Sequence, residues 1–284
     1  MKIRDFAKFF VFKLLTLSRI SASKEQRLDE LKRKLEKIIL DLSSQYNSIK
    51  IEGDYLVNKL YLQHAFQVSL TQDAISLLDN KKQKSFTIVD IGDSSGFHLE
   101  YLTNLEKGIS RAVSVNIDPE AVKKIKKRGF EAIESRAELI HEHPNFNGQS
   151  DIFLSFEMVE HLFDPISFLH EMSVKSICDF FVVTVPYQNS SRVGMHQIRN
   201  SSFRSSPFNA EVTHIFELSP NDWDLIFKFS GWKVVKKVYY TQYPKNKLNP
   251  LSLLKYVWRK LDFDGFYGVI LEKDDSVSKY YKNW

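Results

Sequence analysis

The stretch Thr87-Ile88-Val89-Asp90-Ile91-Gly92-Asp93-Ser94-Ser95-Gly96-Phe97-His98 passes from a β-branched apolar run into a turn of small and acidic residues and then into a helical pattern. The run from Thr87 to Ile91 predicts a buried strand. Gly92 and Gly96 would let the backbone approach a ligand closely, and the start of the following helix favours a polar or anionic group. Working outward, similar runs recur at 112–117, 130–134, 152–156 and 180–185 with helical stretches between them, and again at 233–240 and 266–272. Strands alternating with helices predict a parallel sheet with covering helices. The expected fold class is α/β, a doubly wound, seven-stranded Rossmann-like sheet. An insertion separates the last two strands, which leaves them free to pair antiparallel at the sheet edge.

The chain has 284 residues, enough to bury a full core without staples. Its single cysteine, Cys178, excludes a disulfide scaffold and a thiolate metal cage and fits a reducing compartment. A cytoplasmic location is therefore expected, with membrane association at the chain's ends. The formal charge of +5 is unevenly spread: residues 1–50 hold 12 Lys/Arg against 6 Asp/Glu, residues 233–284 hold 11 against 5, and 51–232 hold 17 against 24. An acidic middle lies between two basic ends.

At the N-terminus, Phe6, Phe9, Phe10, Leu14 and Leu17 fall on one helical face, and Lys2, Arg4, Lys8 and Arg19 supply positive charge. Lys8 and Lys13 break any would-be signal sequence or membrane span. The helix suits either an anionic lipid surface or packing on the protein's own core. Leu28, Leu31, Leu35, Ile38 and Leu42 then form a short heptad seam, open to intramolecular docking or to homodimerisation. A further helix is expected from about Asp54 to Leu78, carrying Tyr61, His64, Ala65 and Phe66. The division expected is a basic amphipathic helical extension over 1–50 and one domain over 51–284, with cap insertions at about 187–212 and 242–265.

The segment Asp151-Ile152-Phe153-Leu154-Ser155-Phe156-Glu157-Met158-Val159-Glu160-His161-Leu162-Phe163-Asp164-Pro165 carries the most chemistry. A buried strand ends at Phe156 and delivers two carboxylates and an imidazole to the edge where open α/β sheets bind ligands. At helical pitch Glu157, Glu160 and His161 share one face. Two carboxylate oxygens and a nitrogen suit a hard or borderline divalent cation such as Mg2+.

The first motif resembles that of class I S-adenosyl-L-methionine (SAM)-dependent methyltransferases, with Ser94 standing where the middle glycine of Gly-x-Gly-x-Gly would be. The resemblance covers about Ser85 to Asp274 and implies a SAM site built from Asp90, Gly92, Asp93, Ser94 and Gly96, with Phe156 at the end of the fourth strand. Asp118, at the end of the second strand in Val113-Ser114-Val115-Asn116-Ile117-Asp118-Pro119, can accept hydrogen bonds from both ribose hydroxyls of the cofactor. It also suits the N-cap of the helix that opens at Pro119. Ala137 follows the third strand where the family commonly places a residue near the adenine, although Arg136 occupies the usual acidic position.

The Glu-x-x-Glu-His segment is similar to that of the ubiquinone-pathway and small-RNA 3′-terminal O-methyltransferases. In these a downstream histidine completes a divalent-metal site, which implies Glu157, Glu160, His161 and His214 as ligands here. His196 is a rival ligand, and His196 or His161 could act as the general base. Glu-His-Leu at this place also occurs in metal-free relatives, where it shapes the methionine pocket.

The function expected is SAM-dependent O-methylation of a hydroxyl on a sugar, glycan or related small molecule, with polysaccharide biosynthesis as a setting. Arg192 and Arg199, in a long polar loop at the catalytic edge, offer contacts for an anionic acceptor. RNA ribose methylation would use the same metal logic, but the acidic centre and the lack of a basic-aromatic recognition module weigh against nucleic acid. A quinone or phenol acceptor and a catalytically silent SAM-binding subunit are the remaining alternatives.

Overall fold

The computed structural model describes residues 3–47, 50–80, 85–144, 146, 148–193, 214–257 and 264–281. Three helices precede the sheet: α1 (Ile3–Glu25), α2 (Asp29–Ile38) and α3 (Asp54–Asn80). The sheet elements follow as β1 (Phe86–Ile91), α4 (Phe97–Leu105), β2 (Ile109–Asn116), α5 (Pro119–Lys127), β3 (Glu131–Glu134), β4 (Ile152–Phe156), α6 (Pro165–Lys175) and β5 (Phe180–Tyr187). Next come a short ribbon of β6 (Arg192–Val193) and β7 (Phe216–Glu217), then α7 (Pro220–Phe229), β8 (Trp232–Thr241) and β9 (Gly265–Lys273).

The main sheet has seven strands in the order β3-β2-β1-β4-β5-β9-β8. The first five pair in parallel, with Val89 opposite Val113 and Phe153, and Phe153 opposite Phe181. β9 runs antiparallel to both β5 and β8, so the expected antiparallel pair forms with β9 inserted beside β5 and β8 at the edge.

Strand periodicity separates the two faces. Ile88, Leu154, Val182 and Ile270 point into a cluster built with α2, α3 and α4. Their neighbours Val89, Phe153, Val183 and Val269 point the opposite way, onto Phe168, Leu169 and Met172 of α6 and Trp223 and Phe227 of α7. Alternation of this kind follows from the two-residue period of a strand, and each fully buried large apolar side chain contributes about 1.5–3 kcal/mol.

Three helix starts, those of α5, α6 and α7, use one local device, a capping side chain followed by proline. Asp118 accepts from Glu120 N at 2.9 Å ahead of Pro119, Asp164 from Ser167 N at 2.9 Å ahead of Pro165, and Ser219 from Asp222 N at 3.3 Å ahead of Pro220. The cap satisfies an orphan amide, and proline at N1 sacrifices no hydrogen bond.

The N-terminal helices pack on this body. Leu28, Leu35 and Leu42 of the heptad seam are buried, and Leu31 and Ile38 pack against the same cluster as the sheet. The seam is therefore used within the chain. Of the two readings of α1, packing through the face of Phe10 and Leu17 is not what forms. The helix docks through Leu15, Ser18, Arg19, Ala22 and Ser23, while Phe10 and Leu17 face solvent. The cause is polar pairing: the buried Arg19 guanidinium bonds Tyr55 O at 3.2 Å, Tyr55 Oη at 2.9 Å and Gln242 Oε1 at 3.0 Å. Among the described residues no helix is long and apolar enough to cross a membrane.

Candidate active site

The turn after β1 is held by its own backbone and by one acid. Gly92 takes a left-handed φ of 94° and donates its N–H to Val115 O at 2.8 Å. A Cβ on Gly92 would lie 2.6 Å from Met158 Cγ, so the glycine is needed both for its dihedral and for the close approach of the turn after β4. The buried Asp93 accepts from Ser95 N at 3.0 Å and Gly96 N at 2.7 Å through one oxygen. Burial raises the Asp93 pKa, with these amides pulling the other way. Asp93 thus braces the turn from within, and Gly96, at φ 79°, opens α4.

Asn116 joins this turn to the next, donating to Asp93 O at 2.7 Å and accepting from Asp118 N at 2.8 Å. Asp118 lies half-buried at the end of β2, one oxygen capping α5 and the other held by Asn47 Nδ2. Ala137 begins a 3-10 helix, Ala137–Glu142, after β3 and packs on the core.

Sequence reasoning missed a strap that crosses this edge. Gln45, buried at 5% exposure, donates to Ser94 Oγ at 3.2 Å and accepts from Ser95 Oγ at 3.2 Å. Ser44 O accepts from Lys124 Nζ at 3.0 Å, and Ser44 Oγ accepts from Arg128 at 3.2 Å. With Asn47 on Asp118, residues 44–47 touch both turns that hold the candidate cofactor residues. Polar residues in a short irregular segment carry no periodic signal that would have revealed this.

A second unforeseen feature lies beneath the turn. His98 Nε2 sits 2.8 Å from Gln67 Oε1, Gln67 Nε2 donates to Thr184 Oγ1 at 3.2 Å, and His98 Nδ1 is 3.6 Å from Asp90 Oδ2. The His98 ring meets His64 at 4.9 Å and Phe156 at 4.7 Å between centroids. Burial pushes Asp90 well up, helped by the Asp93 charge, and pushes His98 well down, with His64 adding to it. Burial alone takes His64 down to about 3. Asp90 therefore belongs to a dry polar network shared by α3, α4, β1 and β5.

At the end of β4 the chain turns sharply. Glu157 adopts a left-handed φ of 52°, and Val159–His161 form a single 3-10 turn. Glu160, His161 and His214 come together, each offering a ligand atom within 4.8 Å of the others. Glu160 is 0% exposed, and neither of its carboxylate oxygens makes a hydrogen bond among the described residues. Its Oε1 is 3.9 Å from His161 Nε2, and the His161 and His214 rings meet edge to face at 4.8 Å. Burial pushes the Glu160 pKa well up, and the Glu157 charge adds to it.

Glu157 stands outside this trio. The expected shared face required a regular helix from Glu157, whereas the left-handed residue comes before the turn begins. Ile215 N donates to Glu160 O at 3.0 Å, tying the two segments together. His214 Nδ1 lies 3.7 Å from Glu217 Oε1, and Glu217 also pairs with Arg192. Burial pushes Glu217 up, but hydrogen bonds from His214 and Arg192 outweigh it and hold the carboxyl below its usual range. Arg192 thus serves as a brace for Glu217.

His196 and Arg199 lie outside the described residues. A cavity of about 410 Å³ opens at the ends of β5 and β8, lined by Tyr187, Asn189, Ser219, Pro220, Asn221, Tyr239 and Lys245.

Residues 89–174 match the family profile described as a methyltransferase domain. A structure described as a sarcosine dimethylglycine methyltransferase from Galdieria sulphuraria superposes with a TM-score of 0.52 at 13% identity, over 77% of this chain and 88% of that one. Magnesium protoporphyrin IX methyltransferase from Synechocystis PCC 6803, solved with bound SAM, gives 0.48 at 7% identity over 78% and 86%. The 1,6-didemethyltoxoflavin-N1-methyltransferase of Burkholderia thailandensis, solved with S-adenosylhomocysteine, gives 0.48 at 14% over 74% and 80%. No curated protein sequence matches the chain. The fold is that of the class I SAM-dependent methyltransferases. Within it, residues 89–174, from β1 to α6, carry the match to the methyltransferase-domain profile.

Proposed function

We propose that the protein is a SAM-dependent O-methyltransferase that uses Glu160, His161 and His214 to prepare an acceptor hydroxyl. The observation that carries this is the Glu160 carboxylate, sealed from solvent and without a hydrogen-bond partner among the described residues, beside two imidazoles at the ligand-binding edge. A buried carboxylate left in this state is costly unless something pairs with it. One carboxylate and two imidazoles suit a borderline divalent cation better than Mg2+, which prefers an all-oxygen shell. When bound, such an ion would supply Lewis-acid polarisation of the acceptor oxygen.

The chain's own residues do the remainder. In the proposed reading Asp118 holds the ribose, Gly92, Ser94 and Gly96 line the approach to the methionine part, and Asp93 keeps the turn in shape. The strap through Gln45 and Asn47 closes over the same part. Where no ion is held, an imidazole nitrogen of His161 takes the hydroxyl proton as the acceptor oxygen forms its bond to the methyl carbon. The carbon–sulfur bond breaks in the same step, leaving S-adenosylhomocysteine. The cavity beside Tyr187 and Tyr239 offers aromatic walls and hydroxyl partners to a sugar ring or glycan.

The test is product mass spectrometry on a panel of glycans, quinols and RNA with SAM, with and without a chelator. The reading expects a methyl ether on a sugar hydroxyl and loss of product on chelation. N-methyl products, or turnover unaffected both by the chelator and by Glu160→Ala, would overturn it. Methylated quinol or RNA would keep the chemistry and replace the acceptor.

A further inference from the structure

α1 is an amphipathic helix mounted with its apolar side outward. Its inner face is held by the Arg19 bonds to Tyr55 and Gln242 and by Ser18 Oγ donating to Gln242 O at 3.2 Å. At 100° per residue, Phe10, Lys13, Leu17, Ile20 and Lys24 fall on one outward stripe. Phe10, Leu17 and Ile20 are 55%, 45% and 40% exposed. The stripe carries two lysines and no acid.

A second amphipathic segment, more than two hundred residues later, lies against it. Asn249 Nδ2 donates to Ser21 Oγ of α1 at 2.7 Å, and Leu254 and Val257 pack on the cluster of Leu15 and Tyr243. The 3-10 helix Pro250–Leu254 and the turn beyond it leave Leu253 and Tyr256 exposed, with Lys255 over the Tyr256 ring. Leu248 and Lys247 stand exposed just before it. The two basic ends of the chain therefore converge on one surface that combines large apolar side chains with lysines.

We infer that this surface docks on the interface of an anionic lipid bilayer. Isolated exposed apolar residues are ordinary, but a set brought together from two segments with lysines among them marks an interaction site. Lysines among inserting apolar residues extend their ammonium groups to lipid phosphates while their stems stay with the acyl boundary. A second copy of the chain is a poorer occupant, because a two-fold interface would set the lysine stripe against itself. The patch adjoins the ligand-binding edge. Glu25, at the end of α1, accepts from the backbone N–H of Lys245 at 3.0 Å, and Lys245 lines the cavity. A docked enzyme would thus present its cavity beside the membrane, where amphiphilic acceptors such as a lipid-carried sugar reside. The docking itself does not depend on the metal reading.

The test is vesicle flotation of the full chain with phosphatidylcholine alone and with added phosphatidylglycerol. Wild-type protein is expected to float with the anionic vesicles only, and less at high salt. Lys13→Gln/Lys24→Gln is expected to weaken binding about 25-fold, at about fivefold per basic residue. Phe10→Ser/Leu17→Ser is expected to weaken it about tenfold or more. Because these side chains are exposed, thermal melting and S-adenosylhomocysteine binding should hold in both variants, which separates lost docking from lost fold. The inference fails if wild-type protein stays with neither vesicle, or if both variants float as well as wild type. It also fails if light scattering shows a dimer that Phe10→Ser/Leu17→Ser splits.

Discussion

Asp93 and Glu160 lie just beyond the carboxyl ends of neighbouring strands, β1 and β4, and both are sealed from solvent. Asp93 spends one oxygen on the amides of Ser95 and Gly96, and its burial goes into shaping a turn. Among the described residues neither Glu160 carboxylate oxygen is hydrogen-bonded, and its neighbours are another acid and two histidines. The same residue chemistry at the same edge therefore does two jobs. Asp93 Oδ2 has no hydrogen-bond partner among the described residues, so the contrast is between an acid with one oxygen satisfied, which braces a turn, and an acid with neither, which costs stability until a ligand or proton arrives.

The largest effect should come from breaking the second half of this contrast. Glu160→Gln is expected to lower kcat by on the order of a hundredfold or more while leaving the melting temperature level or higher. Asp93→Asn should do the reverse, costing about 1–3 kcal/mol of stability with activity falling only as the turn loosens. Steady-state kinetics beside thermal melts check both, and equal stability losses in the two variants would dissolve the distinction.

Next in size, Asp118→Ala should weaken SAM binding by about ten- to a hundredfold, as loss of hydrogen bonds to a charged acceptor implies. Unchanged affinity by calorimetry would remove Asp118 from the ribose site.

The dry network under the turn predicts an acid response. His64 has a folded pKa of about 3, below its ordinary 6.5, so the unfolded chain takes the proton first as pH falls. Stability present above about pH 6.5 should be lost between there and about pH 3, at about 1.4 kcal/mol per pH unit for each such histidine. His98 shifts in the same direction. His64→Phe should shallow this slope, measured by urea melts across the window, and an unaltered slope would contradict it.

The smallest effect is at the strap. Asn47→Ala should change S-adenosylhomocysteine affinity by a few-fold, since one neutral hydrogen bond contributes about 0.5–1.5 kcal/mol. No change would place Asn47 outside the cofactor's reach.

The sheet was readable because its strands announce themselves by β-branched and aromatic runs, and α5, α6 and α7 each by a cap and proline. The resemblance to the Glu-x-x-Glu-His methyltransferases implied Glu157, Glu160, His161 and His214 as one set, and the structure brings the last three of them near one another. Of three other features, one turned on a local backbone conformation and two on contacts between distant parts of the chain. Glu157 left its expected partners because of one left-handed residue. α1 turned its apolar face outward because Arg19 found Tyr55 and Gln242, and neither partner is near it in sequence. Gln45 reached Ser94 and Ser95 across some fifty residues of chain. Local patterns encode elements, while polar partners chosen across the fold decide which face an element shows.

Asn47 occupies an oxygen of Asp118 that a ribose hydroxyl would also seek. On the proposed reading, cofactor entry and product exit each require that amide to yield or share, so turnover carries a rhythm set by the strap as well as by methyl transfer. The strap continues from α2, whose Leu35 is locked in the core, and α2 follows α1 directly. On the proposed reading, the strap thus joins the cofactor edge along the chain to the same helical arm that meets the proposed membrane.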